Sequence, residues 1–212
     1  MKSDMRMKIK LCGLTRLCDI ETVNQLKPDY IGFVFAPKSR QYISPENAKK
    51  LKERLHPSIL AVGVFVNEQP EVIAALLNQN IIDISQLHGD EDDSYIHQLR
   101  ELTGKPIIKA FRIDTEEDVL AARKSSADYI LLDSGNGGTG TTFDWNLLRH
   151  MDRPYFLAGG LNLQNVGDAV AALHPYAVDV SSGIETEGLK DNKKMTEFVR
   201  IVRDAAGKEG NT

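Results

Sequence analysis

Apolar residues recur along this chain in short unbroken runs, separated by longer stretches with helical spacing. The runs fall at residues 9–12, 30–35, 60–66, 81–87, 106–111, 129–133, 155–158 and 177–181, and most are rich in Val, Ile, Phe and Tyr. Continuous rather than alternating apolar runs are expected of parallel strands covered by helices. Between them, Val166, Ala169, Val170 and Leu173 follow the i, i+3, i+4, i+7 rule of a helix with one buried stripe, as do Met195, Phe198, Val199 and Val202. Helix starts are marked as well. Ser44 precedes Pro45, a capping hydroxyl before a proline at the first helical position, and Asn162 and Asp114 are placed to cap in the same way. Eight strand–helix alternations, about 20 to 30 residues apart and without a Pro- or Gly-rich linker, predict an α/β fold. The expected form is a single-domain (β/α)8 TIM barrel over residues 1–206, followed by a frayed polar tail at 207–212. A doubly wound open sheet is the rival, but it would use fewer strands and often a glycine fingerprint after the first one, where this chain has only Gly13.

The composition narrows the class of partner. The chain has 212 residues, 42% of them hydrophobic, and a formal net charge of -4 with no clustered basic stripe. That balance gives no reason to expect nucleic acid or an anionic membrane surface as partner. The first ten residues are charged, and no stretch approaches the roughly 18 apolar residues of a membrane span, so a cytoplasmic protein is expected. The two cysteines, Cys12 and Cys18, lack neighbours at zinc-site spacing and are expected to be free thiols, with no metal and no cofactor implied. Nothing in the sequence separates a monomer from a homodimer.

Candidate chemistry sits at the ends of the runs. Cys12 ends the first and Asp133 ends the sixth, each just before a Gly or Ser turn, which is where a parallel barrel keeps its reactive groups. A thiolate can take a proton and a carboxylic acid can give one, so the pair suits a cofactor-free isomerisation. Cys12 could equally be a small buried hydrophobe, and Asp133 a cap of the next turn. Cys18, beside Leu17 and Ile20, reads as structural. Three glycine-bearing loops follow late runs: 135–140 with Gly138 and Gly140, then Ala158-Gly159-Gly160-Leu161, then Ser181-Ser182-Gly183-Ile184. Glycine lets backbone approach a ligand closely, and the loops after strands 7 and 8 are a frequent phosphate site in barrels. A phosphorylated small-molecule substrate follows, with Gly138, Gly140, Gly159, Gly160, Ser182 and Gly183 as candidate phosphate contacts. Gln86, His88 and Asp179 are candidate substrate contacts or satisfied structural polar groups. Lys109 supplies local positive charge or pairs with a carboxylate.

The strings Lys10-Leu11-Cys12-Gly13-Leu14-Thr15, Gly63-Val64-Phe65-Val66-Asn67, Gln86-Leu87-His88-Gly89-Asp90-Glu91, Leu132-Asp133-Ser134, Gly137-Gly138-Thr139-Gly140, Phe143-Asp144-Trp145, Ala158-Gly159-Gly160-Leu161 and Asp179-Val180-Ser181-Ser182-Gly183 occur in one order along the chain. Together they resemble the phosphoribosylanthranilate isomerase family over nearly the whole length. The resemblance implies the Amadori rearrangement of N-(5-phosphoribosyl)anthranilate to 1-(2-carboxyphenylamino)-1-deoxyribulose 5-phosphate, a step of tryptophan biosynthesis, with Asp133 as acid and Cys12 as base. Ordinary pKa values of about 3.9 for Asp and 8.5 for Cys leave both groups mostly in the wrong state at neutral pH, so the site must adjust them.

One string departs from the family pattern. In the family an arginine in the loop after strand 2 stands before an aromatic or basic residue and then Val or Ile-Ser-Pro-Glu, and it meets the anthranilate carboxylate. Here Gln41 holds that position in Lys38-Ser39-Arg40-Gln41-Tyr42-Ile43-Ser44-Pro45-Glu46, and Arg40 stands one place earlier. The carboxylate is assigned to Arg40, whose guanidinium can pair with it bidentately, with Lys38 as the fallback. Rival readings are a related phosphosugar barrel isomerase of histidine biosynthesis, which would carry Asp in place of Cys12, and a non-catalytic phosphosugar-binding barrel, which would need no acid and base together.

Overall fold

A computed structural model describes residues 7–133, 145–148 and 151–207. Eight parallel strands close into a barrel in sequence order: β1 (Lys8–Cys12), β2 (Tyr30–Val34), β3 (Leu60–Phe65), β4 (Ile84–Leu87), β5 (Ile107–Arg112), β6 (Tyr129–Asp133), β7 (Tyr155–Leu157) and β8 (Ala177–Val180). Closure is made by β1 against β8, with Lys10 opposite Asp179. Around the strands lie α1 (Leu17–Leu26), α2 (Pro45–Lys52), α3 (Pro70–Asn78), α4 (Asp93–Leu102), α5 (Glu116–Lys124), α6 (Val166–Leu173) and α7 (Asn192–Gly207). Between β6 and β7 the described residues form only a 3₁₀ turn, Trp145–Leu148. A two-stranded hairpin, β9 (Glu185–Thr186) with β10 (Leu189–Lys190), precedes α7.

The apolar runs become strands because each must bury both faces. Outward residues such as Ile9, Leu11, Ile31 and Phe33 pack under the helices, whereas Tyr30, Val62, Ile84, Ile108, Leu131 and Phe156 fill the barrel interior. Period-two alternation then dictates that Cys12, Gln86, Asp133 and Asp179 share the inward face of their strands with those interior residues. The helical stripes also fall where the spacing puts them: Val166, Ala169 and Val170 of α6, and Met195, Phe198, Val199 and Val202 of α7, are buried.

Several boundaries shift for local reasons. The run at 81–87 enters β4 only at Ile84, because the Ile81 N–H turns back to Leu76 O at 3.0 Å to finish α3. Ser44 caps α2 as expected, accepting from Asn47 N–H at 3.3 Å with Pro45 next in the chain. Asp114 does not cap α5. Thr115 does, in a capping box with Asp118. Asn162 stands before the helix, where its side chain accepts from Gln164 N–H at 2.8 Å, and Asn165 takes the cap position of α6 without a side-chain bond to the helix backbone. Residues 208–212 of the expected tail, and 134–144 with Gly138 and Gly140, lie outside the described residues.

Candidate active site

The C-terminal ends of the barrel strands surround a cleft of about 280 Å³. Cys12, Gln86, His88, Asp133 and Asp179 all line it, together with Gly159, Gly160 and Ser182. Four strands therefore deliver the expected polar groups to one cavity, with β1 and β6 carrying the thiol and the carboxyl. Val34, Val64 and Ala36 form an apolar wall beside Cys12. Gly32 of β2 provides the notch in which the thiol sits, since a Cβ there would lie 2.5 Å from Cys12 Sγ.

The thiol has a charged neighbour on its own strand. Lys10, two residues before Cys12 on the same inward face, is completely buried, and its Nζ lies 2.9 Å from Asp179 Oδ1. Burial alone would depress the Lys10 ammonium, but the attraction of Asp179 and of Cys12 leaves its pKa above the ordinary lysine value. Burial pushes the Cys12 thiol up, Asp179 adds to the rise, and Lys10 and then Lys190 oppose it. Cys12 thus rests as a thiol beside two ammonium groups positioned to receive a thiolate. The opposite side of the cleft holds a relay of contacts. The Gln86 amide Nε2 is 2.9 Å from His88 Nδ1, and His88 Nε2 is 3.5 Å from Asp133 Oδ2.

The loops after β7 and β8 close the remaining side. Gly159 and Gly160 have φ of 86° and 66°, a region open to glycine at little cost, and both line the cleft. Gly160 O accepts from Asn162 Nδ2 at 3.1 Å and from Asn165 Nδ2 at 3.0 Å, which fixes this loop just ahead of α6. Gly183 has a different reason to be glycine. It does not line the cleft, and a Cβ on it would fall 2.0 Å from Leu161 O, so it allows the two loops to touch. Gly183 thus marks where the loop after β8 packs against the loop after β7.

The residues from 9 to 201 match the family described as N-(5'phosphoribosyl)anthranilate (PRA) isomerase. The chain belongs to that family. It is 46% identical over 200 residues to the N-(5'-phosphoribosyl)anthranilate isomerase of Endomicrobium trichonymphae, covering 92% of this chain and 98% of that relative. The crystal structure of the isomerase from Thermotoga maritima superposes with a TM-score of 0.84 at 38% identity, over 93% of this chain and 99% of the other. A further isomerase crystal structure, in complex with reduced 1-(o-carboxyphenylamino)-1-deoxyribulose 5-phosphate, gives a TM-score of 0.82 at 38% identity with the same two coverages.

One residue of the expected set lies apart from the cleft. Arg40 is exposed on the turn after β2 and does not line the cleft, whereas Gln41 and Ser39 do. Successive side chains in a turn diverge, so moving the arginine one place moves it off the cavity wall. Gln41 is held firmly: its Nε2 donates to Glu185 Oε1, and Ser181 Oγ donates to its Oε1 at 2.9 Å. Gly13, with φ of 82°, makes room for that amide. Lys190 Nζ completes the cluster, 2.6 Å from Glu185 Oε1 and 2.9 Å from Ser181 O. Sequence reasoning missed Lys10, Gln41, Glu185 and Lys190. The signal available for Lys10 was a charged residue inside an apolar strand run, two places before the thiol. Lys109 takes the structural role, 3.0 Å from Glu91 Oε2, and Cys18 is exposed on α1 rather than packed in it. Among the described residues no cluster of His, Cys, Asp and Glu side chains is arranged to hold a metal ion, and no helix is long and apolar enough to cross a membrane.

Proposed function

We propose that this protein is a cofactor-free, cytoplasmic N-(5'-phosphoribosyl)anthranilate isomerase of tryptophan biosynthesis, in which Asp133 is the general acid and Cys12 the general base. Asp133 gives a proton to the furanose ring oxygen as the bond from that oxygen to C1 breaks and an imine forms. Cys12, as thiolate, takes the proton from C2, and the resulting enolamine becomes the ketone. The observation that carries this reading is the placement of a thiol and a carboxyl from strands five apart in sequence order on one cleft. Lys10 and Lys190 compensate the thiolate that the base step needs. The substrate phosphate is placed at the Gly159–Gly160 and Ser182 loops, and the aromatic carboxylate beside Ser39 and Gln41. Gln41 offers that carboxylate an amide in place of a guanidinium, so its recognition is by hydrogen bond rather than by bidentate ion pair.

Following the loss of phosphoribosylanthranilate fluorescence tests the assignment. Wild type should turn over without added metal or cofactor, and Cys12→Ser and Asp133→Asn should each lower kcat by roughly 10²-fold or more. Unchanged kcat in either variant removes that residue from its role. Tight substrate binding without turnover by wild type would favour the non-catalytic sugar-phosphate barrel.

A further inference from the structure

Asp133 faces a difficulty that the acid assignment alone leaves open: a carboxyl ordinarily titrates near 3.9, and it must carry a proton at neutral pH. The groups behind it bear on this. Gln86 is 1% exposed, and its Nε2 meets His88 Nδ1 at 2.9 Å. An amide nitrogen only donates, so Nδ1 is the acceptor, and the neutral imidazole carries its hydrogen on Nε2, the atom 3.5 Å from Asp133 Oδ2. The other end of the amide, Gln86 Oε1, is buried without a hydrogen-bond partner among the described residues. Buried acceptors ordinarily find a donor. A turn of the amide about its last torsion breaks no bond at Oε1 and presents that oxygen to Nδ1, where it accepts the second N–H of an imidazolium.

Resting on the isomerase reading, we propose that His88 is the proton reservoir behind Asp133, and that Gln86 is the positioning residue that accommodates both of its protonation states. The imidazolium Nε2–H moves to the Asp133 carboxylate, and Asp133 passes a proton on to the ring oxygen. His88 is left neutral with its hydrogen on Nδ1, bonded to the turned amide, and Nε2 is reloaded by a proton from cleft water. One proton leaves the pair for the ring oxygen by way of Asp133 and one enters from solvent at His88, so the pair returns to imidazolium beside carboxylate. An imidazole ordinarily titrates near 6.5, closer to neutrality than a carboxyl, so the pair holds a proton where Asp133 alone would not.

Among the described residues, the surroundings leave His88 to Asp133. Its backbone N–H is fixed on Phe65 O of β3 at 2.8 Å. On β5, Lys109 is engaged by Glu91 at 3.0 Å and by Gly89 O at 2.6 Å, while Arg112 turns to Asp114 at 2.7 Å. Asp90, after β4, is held by Asn67 Nδ2 at 3.2 Å. Across the cleft stands Cys12, whose buried thiol is pushed up.

The test combines kinetics with nitrogen NMR. Activity needs a thiolate and a loaded acid together, and the thiol titrates above the acid. Below the pKa of the acid, further protons therefore only remove thiolate, so kcat/KM falls there. Wild type should show that fall at the titration of the His88–Asp133 pair. In His88→Asn it should move down towards the carboxyl range, with kcat lower by roughly tenfold or more. Gln86→Glu, whose carboxylate accepts from Nδ1–H, should move it up. The ¹⁵N signals of His88 should report hydrogen on Nε2 above the transition and on both nitrogens below it. An unmoved fall in His88→Asn, or hydrogen on Nδ1 in neutral wild type, overturns the relay while leaving the isomerase reading intact. Absence of turnover in wild type overturns the isomerase reading instead, and the NMR arm then stands on its own.

Discussion

Lys10 and Cys12 occupy alternate positions of β1, and every property proposed for the thiol depends on that spacing. A lysine inside a barrel is stable only because Asp179 faces it across the closing strand pair, and removing one partner of such a pair leaves the other charge buried. Lys10→Met should accordingly destabilise the fold by about 3–5 kcal/mol. It should also act on chemistry. Alkylation of Cys12 by iodoacetamide, measured in a Cys18→Ser background, should have its midpoint above the ordinary thiol range in the Lys10-containing protein, because burial dominates there. In Lys10→Met the midpoint should move higher still, since the strongest opposing influence is gone and Asp179 is left unpaired. A midpoint that falls would contradict the role given to Lys10. The reactive pair itself was legible in the sequence, because each member ends an apolar run. Lys10 was not, because its meaning depends on Asp179, which is distant in the chain and adjacent only after closure. Arg40 and Gln41 show the same limit on a smaller scale: which of two neighbours faces the cavity is decided by the path of a turn, and composition does not report it.

Among the elements, α5 shows how a helix start is set. Asp118 accepts from Asp114 N–H at 3.0 Å and Thr115 N–H at 2.8 Å, and these backbone bonds, the first foremost, with the Thr115 hydroxyl, hold its carboxyl below the ordinary range. A carboxyl depressed in the folded state contributes stability that is present above its unfolded pKa and lost as pH falls through the folded value. The melting temperature of Asp118→Asn should therefore lie below wild type at neutral pH, and thermal unfolding followed by circular dichroism should show the two converging below about pH 4. A gap that persists in acid would mean the side chain acts by shape rather than charge. Aspartate beside threonine made this start ambiguous in the sequence, since either side chain can cap. Ser44-Pro45 was unambiguous because proline admits few other positions. The loops after β7 and β8 were recognisable from their glycines, but the division of labour within them was not: Gly159 and Gly160 border the cleft, while Gly183 is small so that one loop can rest on the other.

At the scale of the molecule, stability and chemistry are stacked along the barrel axis. Beneath the cleft, Phe156 meets Tyr30, Tyr176 and Tyr129 with ring centroids 5.3, 5.6 and 5.9 Å apart, a layer made of inward residues from β2, β6 and β7 with Tyr176 just before β8. Phe156→Ala opens a cavity in that layer and should lower unfolding free energy by about 3–5 kcal/mol. Chemical denaturation measures that loss, and KM at a temperature where the variant is folded should stay at the wild-type value. A raised KM would show that the interior layer also shapes the mouth. The eight alternations made this architecture readable from the chain, because a parallel barrel repeats one local pattern and leaves little choice of order. What the repetition could not reveal is how its ends meet. The contact between Lys10 and Asp179 joins the first strand to the last across 169 positions of sequence. A nascent chain that has made β1 but not β8 therefore holds Cys12 without the ammonium–carboxylate couple that governs it. The thiol acquires its working surroundings only once β8 has been made and has closed on β1, so turnover by this protein doubles as a report that the barrel has closed.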